Sequence, residues 1–120
     1  MNSRSIGNYG EDIACAYLKK EGYEILERNF ITKAGEIDIV AVAEGYLIFV
    51  EVKLRKSATF GRASNAVNYH KQMKISKVAS SYIAKYRKFS VPVRFDVVEI
   101  YTDTNDVNLI KNAFDSYLRY

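Results

Sequence analysis

Three charged residues stand inside two otherwise apolar runs of this chain: Asp38, Glu51 and Lys53. The run from 35 to 55, GEIDIVAVAEGYLIFVEVKLR, reads as two short strands around a tight turn. A charge in mid-strand is expensive unless something pairs with it. The turn centres on Glu44-Gly45. Glycine in second place favours a two-residue hairpin loop, although glutamate is a weaker first residue than Asn or Asp. With that loop Ala43 faces Tyr46, Val42 faces Leu47, and the series runs down to Asp38 opposite Glu51. The two acids then share one face, with Cβ atoms roughly 4.5–5.5 Å apart. A symmetric four-residue loop keeps this register. A three-residue loop sends one acid to the other face.

Like charges opposite each other destabilise a sheet, so this pair needs a compensating cation. Lys53, two residues beyond Glu51, points to the same face. It can serve simply as a structural ion partner. The alternative is a divalent metal held by Asp38 and Glu51, with the main-chain carbonyl of Val52 as a third oxygen. Oxygen ligands with room for water suit Mg²⁺ or Mn²⁺. Lys53 is then free to orient or activate water, or to stabilise charge on a phosphate. Such parts make a phosphodiesterase.

The elements that must position these groups follow from hydrophobic period. Residues 5–21 predict a helix with Ile6, Ile13, Ala14, Tyr17 and Leu18 on one face and Gly22 as the stop. Glu11 borders that face. It reads either as a rim carboxylate reaching water or as part of a site. Residues 23–31 predict a strand, and 36–43 and 46–54 the hairpin. Residues 56–69 have no clear period and many small polar residues. They read as a loop with a helical start near Asn68, of the kind that contacts substrate when it lies beside a site.

Residues 70–87 predict the clearest helix, with Ile75, Val78, Ala79, Tyr82, Ile83 and Tyr86 as its stripe. Lys74, Lys77, Lys85 and Lys88 gather on a flank, which is either a solvated face or a phosphate contact. Pro92 opens a strand running to Tyr101, and residues 107–110 predict a last one. The tail, with Phe114, Tyr117 and Leu118, can dock on the body or on a partner subunit. The order is α-β-β-β-α-β-β, a mixed α/β layer with helices on a central sheet.

With 120 residues and 48% of them hydrophobic, the chain suits one domain with a real core. Its single cysteine, Cys15, excludes an internal disulfide and reads as a buried small hydrophobe. No segment approaches the length of a membrane span, and the N-terminus lacks a signal-peptide pattern. The expected place is the cytoplasm. A net charge of +4, from 18 basic and 14 acidic residues, permits nucleic-acid binding without demanding it. Of the ten tyrosines some could stack on bases, but most suit the edge of the core.

Asp38 followed by Glu51-Val52-Lys53 resembles the PD-(D/E)XK nuclease signature. The flanking residues carry more: Gly7-x-x-Gly10-Glu11-x-x-Ala14-x-x-Tyr17-Leu18, Gly35-Glu36-Ile37-Asp38, Phe49-Val50-Glu51-Val52-Lys53-x-Arg55 and Arg94-Phe95-Asp96. Together they resemble the YraN-like bacterial family over almost the whole chain. That family is similar to archaeal Holliday junction resolvases within the nuclease superfamily. The resemblance implies a restriction-endonuclease-like fold and Mg²⁺-dependent cleavage of DNA.

It also implies site roles. Glu11 matches a first-helix glutamate that joins the metal site in resolvase-like relatives. Ile37 stands where the superfamily's name has proline, a position that supplies no ligand. Lys71-Gln72 resembles the lysine or glutamine that some relatives hold near the scissile phosphate, although a lysine at a helix start is also ordinary. Arg55 and Arg62 are candidates for phosphate contacts, with solvated surface arginines as the alternative. Asp96 suits a structural partner of a nearby arginine, and His70 a surface role. The expected activity is endonucleolytic, on branched, single-stranded or otherwise non-duplex DNA, and the tail and resolvase-like symmetry suggest a homodimer. The alternative is a nucleic-acid-binding module on the same fold, without cleavage of its own or activated by a partner. A purely structural ion cluster would give no response to metal.

Overall fold

The chain runs α1 (Ser3–Lys20), β1 (Glu24–Thr32), β2 (Gly35–Ala43), β3 (Tyr46–Arg55), α2 (Tyr69–Tyr86), β4 (Val93–Tyr101) and β5 (Asp106–Ile110). The structure is a computed structural model that describes residues 3–57 and 68–115, with side chains from Tyr9 onward. The expected order α-β-β-β-α-β-β is the observed one. The strands form one mixed sheet in the order β1-β2-β3-β4-β5. Neighbours are antiparallel except β3 and β4, which run parallel with α2 as the crossover between them.

Local chemistry sets the ends of the helices. Gly22 takes φ 93° just past α1, and the Tyr23 N–H returns to the Leu18 carbonyl at 2.9 Å. The start expected near Asn68 is a cap: its side chain accepts the Lys71 N–H at 2.9 Å.

The helices cover opposite faces of the sheet. Ile75, Val78, Ala79, Tyr82 and Ile83 of α2 pack with Leu47, Phe49, Phe95 and Val97. Ala14, Cys15 and Leu18 of α1 pack with Ile48, Val50, Val98 and Ile100. Each fully buried Val, Leu, Ile or Phe among them contributes about 1.5–3 kcal/mol. Cys15 is buried, as expected. Tyr86 is not: at the edge of the α2 stripe it is exposed and gives its hydroxyl to Glu27. Alternation along β3 puts Leu47 and Phe49 on the α2 side, so Glu51 and Lys53 continue that face.

The hairpin has the expected two-residue loop, with Glu44 at φ 55° and Gly45 at φ 83°. The turn puts glutamate in a left-handed position, and its carboxylate is in use there. It bonds Lys111 Nζ at 2.7 Å and Arg94 Nη1 at 2.8 Å, and these cations pull its pKa down to about 2. Arg94 forks onto Asp96 with two bonds of 2.9 Å. The Tyr23 hydroxyl and the Asn112 N–H complete the Asp96 carboxylate. Asp96 is therefore the arginine partner expected from sequence.

In the tail, Phe114 stacks on Phe95 at 4.9 Å, while Tyr117 and Leu118 lie outside the described residues. Among the described residues no helix is long and apolar enough to cross a membrane.

Candidate active site

The β2–β3 ladder follows the expected register from Ala43↔Tyr46 to Ile39↔Val50 and stops there. Asp38 and Glu51 are therefore neighbours just past its end, not ladder partners as expected. The reason lies in Asp38 itself: its Oδ2 accepts the Val52 N–H at 2.8 Å, so a side chain satisfies that main-chain donor. Two other irregularities meet at this point. On β1, Asn29 takes φ 55° between the pairs Arg28↔Ile39 and Phe30↔Ile37. On β2, Ile37 packs on the α2 side and Ile39 on the α1 side. Residues two apart share a face in a regular strand, so the alternation breaks at Asp38.

Asp38 and Glu51 line an open cavity of about 210 Å³ together with Gly35, Glu36, Lys71, Lys74, Ile75 and Val78. Burial raises the Asp38 carboxyl, the charge of Glu51 raises it further, and the Val52 N–H only partly offsets this, leaving a pKa of about 7. Glu51 is raised too, because burial outweighs the nearby Lys71 and Lys53. Lys71 Nζ lies 3.2 Å from Glu51 Oε1. Lys53 is half-buried, and burial and hydrogen bonding with Lys71 lower its pKa. Burial opposes the charge on Lys71, but Lys53 and Glu51 outweigh it and raise its pKa. The arrangement is two acids reluctant to ionise beside one firm ammonium and one amine that gives up its proton more readily than usual.

Glu11 does not reach for water. It is buried, in line with Ala14 and Leu18 on α1. A Cβ on Gly10 would come within 3.0 Å of Leu54 Cδ2, so glycine there lets α1 lie close against β3. Arg28 pairs with Asp12 at 2.8 Å and stands 3.7 Å from Glu11 Oε1, which has no hydrogen-bond partner among the described residues. The Glu11 charge adds to the upward push on Asp38. It acts on Asp38 from α1 and does not line the cavity.

The remaining sequence candidates divide. Lys71 and Lys74 line the cavity, and Gln72 does not. Val52 enters through its N–H. Arg55 is half-buried and ion-paired with Glu99 at 3.6 Å, so it is no free surface arginine. Arg62 lies outside the described residues, as does most of the expected loop. The basic flank of α2 is split: Lys85 sits over the Phe30 and Tyr86 rings, and Lys77 and Lys88 are exposed without lining the cavity. His70 is exposed, as expected.

Sequence reasoning missed Glu36, which lines the cavity and raises both Asp38 and Glu51. Its place two residues before Asp38 in Gly35-Glu36-Ile37-Asp38 carried that signal.

Among the described residues no three His, Cys, Asp or Glu side chains gather into a ready-made ion cage. Two half-buried carboxylates, both raised by burial, nevertheless fit a hard divalent cation. Mg²⁺ is commonly held by one or two carboxylates, with water and substrate phosphate completing its shell.

Residues 10–100 match the family described as "Uncharacterised protein family UPF0102". The chain is 46% identical over 119 residues to a UPF0102 protein of Caldanaerobacter subterraneus subsp. tengcongensis, covering 95% of this chain and 98% of the relative. A UPF0102 protein of Caldicellulosiruptor saccharolyticus is 47% identical over 118 residues, covering 95% and 100%. One of Clostridioides difficile is 46% identical over 114 residues, again covering 95% and 100%. The chain therefore belongs to the UPF0102 family, the YraN-like group that its motifs resemble.

Proposed function

We propose that this protein is a Mg²⁺-dependent endodeoxyribonuclease of the PD-(D/E)XK kind, acting in the cytoplasm on branched or single-stranded DNA. The observation that carries the reading is the pair Asp38 and Glu51 at the mouth of one cavity, with Lys53 and Lys71 beside them. Asp38 and Glu51 would hold the ion, with Glu11 acting on Asp38 from α1 and the Val52 carbonyl available as a main-chain oxygen. Mn²⁺ would substitute. What the bound ion supplies is polarisation of the phosphodiester and acidification of water.

The chain's own groups do the rest. Lys71 and Lys74 draw the backbone phosphate into the cavity and offset its charge. Lys53, whose proton is loosened by burial and by Lys71, orients the attacking water and can hold its proton. Ile75 and Val78 form the apolar wall of the cavity.

The test is incubation of the purified chain with labelled junction, flap and single-stranded DNA in Mg²⁺ or Mn²⁺. Asp38→Ala and Lys53→Ala should each abolish cutting while the protein stays folded. Cutting by both variants at the parent's rate would mean a contaminant and end the reading. The Lys71–Glu51 contact favours a second reading, a binding module whose acids are neutralised by lysine. DNA binding without cutting by the parent, under all metals, would select it. A homodimer suits a symmetric junction, and sedimentation of a monomer at high concentration would remove it.

A further inference from the structure

Glu99 is a buried carboxylate that the proposed reaction does not use. It lies in β4 with 0% exposure, in register with Lys53 on β3 and Asn108 on β5. Its Oε1 accepts the Tyr101 hydroxyl at 2.6 Å and the Asn108 side-chain amide at 3.3 Å. Its Oε2 has no hydrogen-bond partner among the described residues. The cation beside that oxygen is Arg55, with Nε at 3.6 Å. An ionised carboxylate cannot be buried cheaply without a partner charge, so Arg55 is tied to this spot.

The pair is lopsided. The Glu99 side chain is fully buried and that of Arg55 is 36% exposed. Glu99 meets the Nε edge of the guanidinium. The outer Nη1–Nη2 edge has no ion-pair partner among the described residues, and that fork matches a phosphate. The main chain is pinned as well: the Arg55 carbonyl accepts the Thr102 N–H at 2.8 Å and the Thr102 hydroxyl at 3.3 Å. The backbone is fixed, and about a third of the side chain meets water. Arg55 stands four residues past Glu51 on the same face of β3, about 13 Å along the strand. That is too far to touch a phosphate held at Glu51.

We propose that Arg55 is a second phosphate-binding point, held ready by the buried Glu99 carboxylate and its partners Tyr101 and Asn108, which grips the nucleic-acid strand away from the bond to be cut. The proposal rests on the nucleic-acid reading above and adds a site to it. Glu99 is a positioning residue: it acts through Arg55 and touches no substrate.

The experiment is anisotropy titration of the full chain with fluorescein-labelled single-stranded and duplex oligonucleotides, without divalent metal, across a KCl series. Arg55→Gln should weaken binding roughly three- to tenfold at low salt and reduce the salt slope by about 0.7–0.9, the loss of one phosphate contact. Glu99→Gln should do the same although it makes the protein more positive, and the double variant should be no weaker than Arg55→Gln alone. Tighter binding by Glu99→Gln, the result if Glu99 merely cancels charge, overturns the proposal. An unchanged slope in Arg55→Gln overturns it while leaving the nucleic-acid reading standing. A parent that binds no nucleic acid at any salt overturns both. Should Glu99→Gln fail to fold, Tyr101→Phe combined with Asn108→Ala loosens the same carboxylate and must reproduce the Arg55→Gln slope, or the proposal falls.

Discussion

Asp38 Oδ2 accepts the main-chain N–H of Val52 at 2.8 Å, at the place where the β2–β3 ladder has just ended. The acid thus has two duties, one to the backbone and one to the cavity. Substitution separates them. Asp38→Asn keeps an oxygen for the Val52 N–H, so it should lose metal binding and cutting while remaining well folded. Asp38→Ala leaves that donor without its partner and should cost about 1–3 kcal/mol as well. Urea melts of the two variants at one pH check the difference, and equal midpoints would refute the backbone duty.

The raised Asp38 carboxyl makes stability depend on pH in an unusual direction. Its folded pKa is about 7 against an ordinary 3.8. Between those values the folded state holds a proton that the unfolded chain has released, so stability falls as pH rises. The loss is complete above about pH 7 and amounts to roughly 2–4 kcal/mol at most. Mg²⁺ should restore it, since a divalent cation replaces the missing proton. The melting temperature should therefore rise on adding Mg²⁺ at pH 8 and hardly move at pH 5. Asp38→Asn should flatten the pH slope, leaving only the share that Glu51 contributes, and lose the metal response with it. Thermal scans at both pH values decide it.

Lys71 competes for Glu51 with any cation that enters. Removing its charge should strengthen divalent binding and weaken DNA binding. We expect Lys71→Met to tighten Mn²⁺ by up to about tenfold, equivalent to ~1.4 kcal/mol, as read by calorimetry. A weaker Mn²⁺ affinity would mean that Lys71 organises Glu51 instead of opposing the ion.

Much of this is legible in the sequence. The Glu44-Gly45 turn favours an even register, and with an even loop the approach of Asp38 to Glu51 follows. Where the ladder stops does not, because alternation records which face a residue takes and not where two strands part. In sequence Lys71 reads as a phosphate contact. Its ion pair with Glu51 depends on where α2 lies across the sheet, which no local pattern contains. Glu99 is a different kind of miss. VRFDVVEIY carries two mid-strand acids, and the reasoning applied to Asp38 would have flagged Glu99 as needing a partner.

The Arg94–Asp96 fork lies on the other part of β4 and serves stability. Asp96→Ala leaves Arg94 buried without its main partner and should cost about 3–5 kcal/mol. Denaturant titration gives the number. Metal binding by the folded fraction should be unaffected, which separates this network from the cavity.

Every residue proposed for the chemistry precedes Ile75, yet β3, which carries Glu51 and Lys53, is paired on its far side by β4, beginning at Val93. The β1–β2–β3 meander closes short loops, whereas the parallel β3–β4 pair must close a long one across α2. Long closures come late in folding because their entropy is lost before their contacts form. A chain emerging from the ribosome would thus expose all the side chains proposed for the chemistry well before it owned the strand that aligns them. Pulse-labelled hydrogen exchange should find the β2–β3 amides protected before those shared between β3 and β4. Competence to cut would be among the last properties that the folding chain acquires.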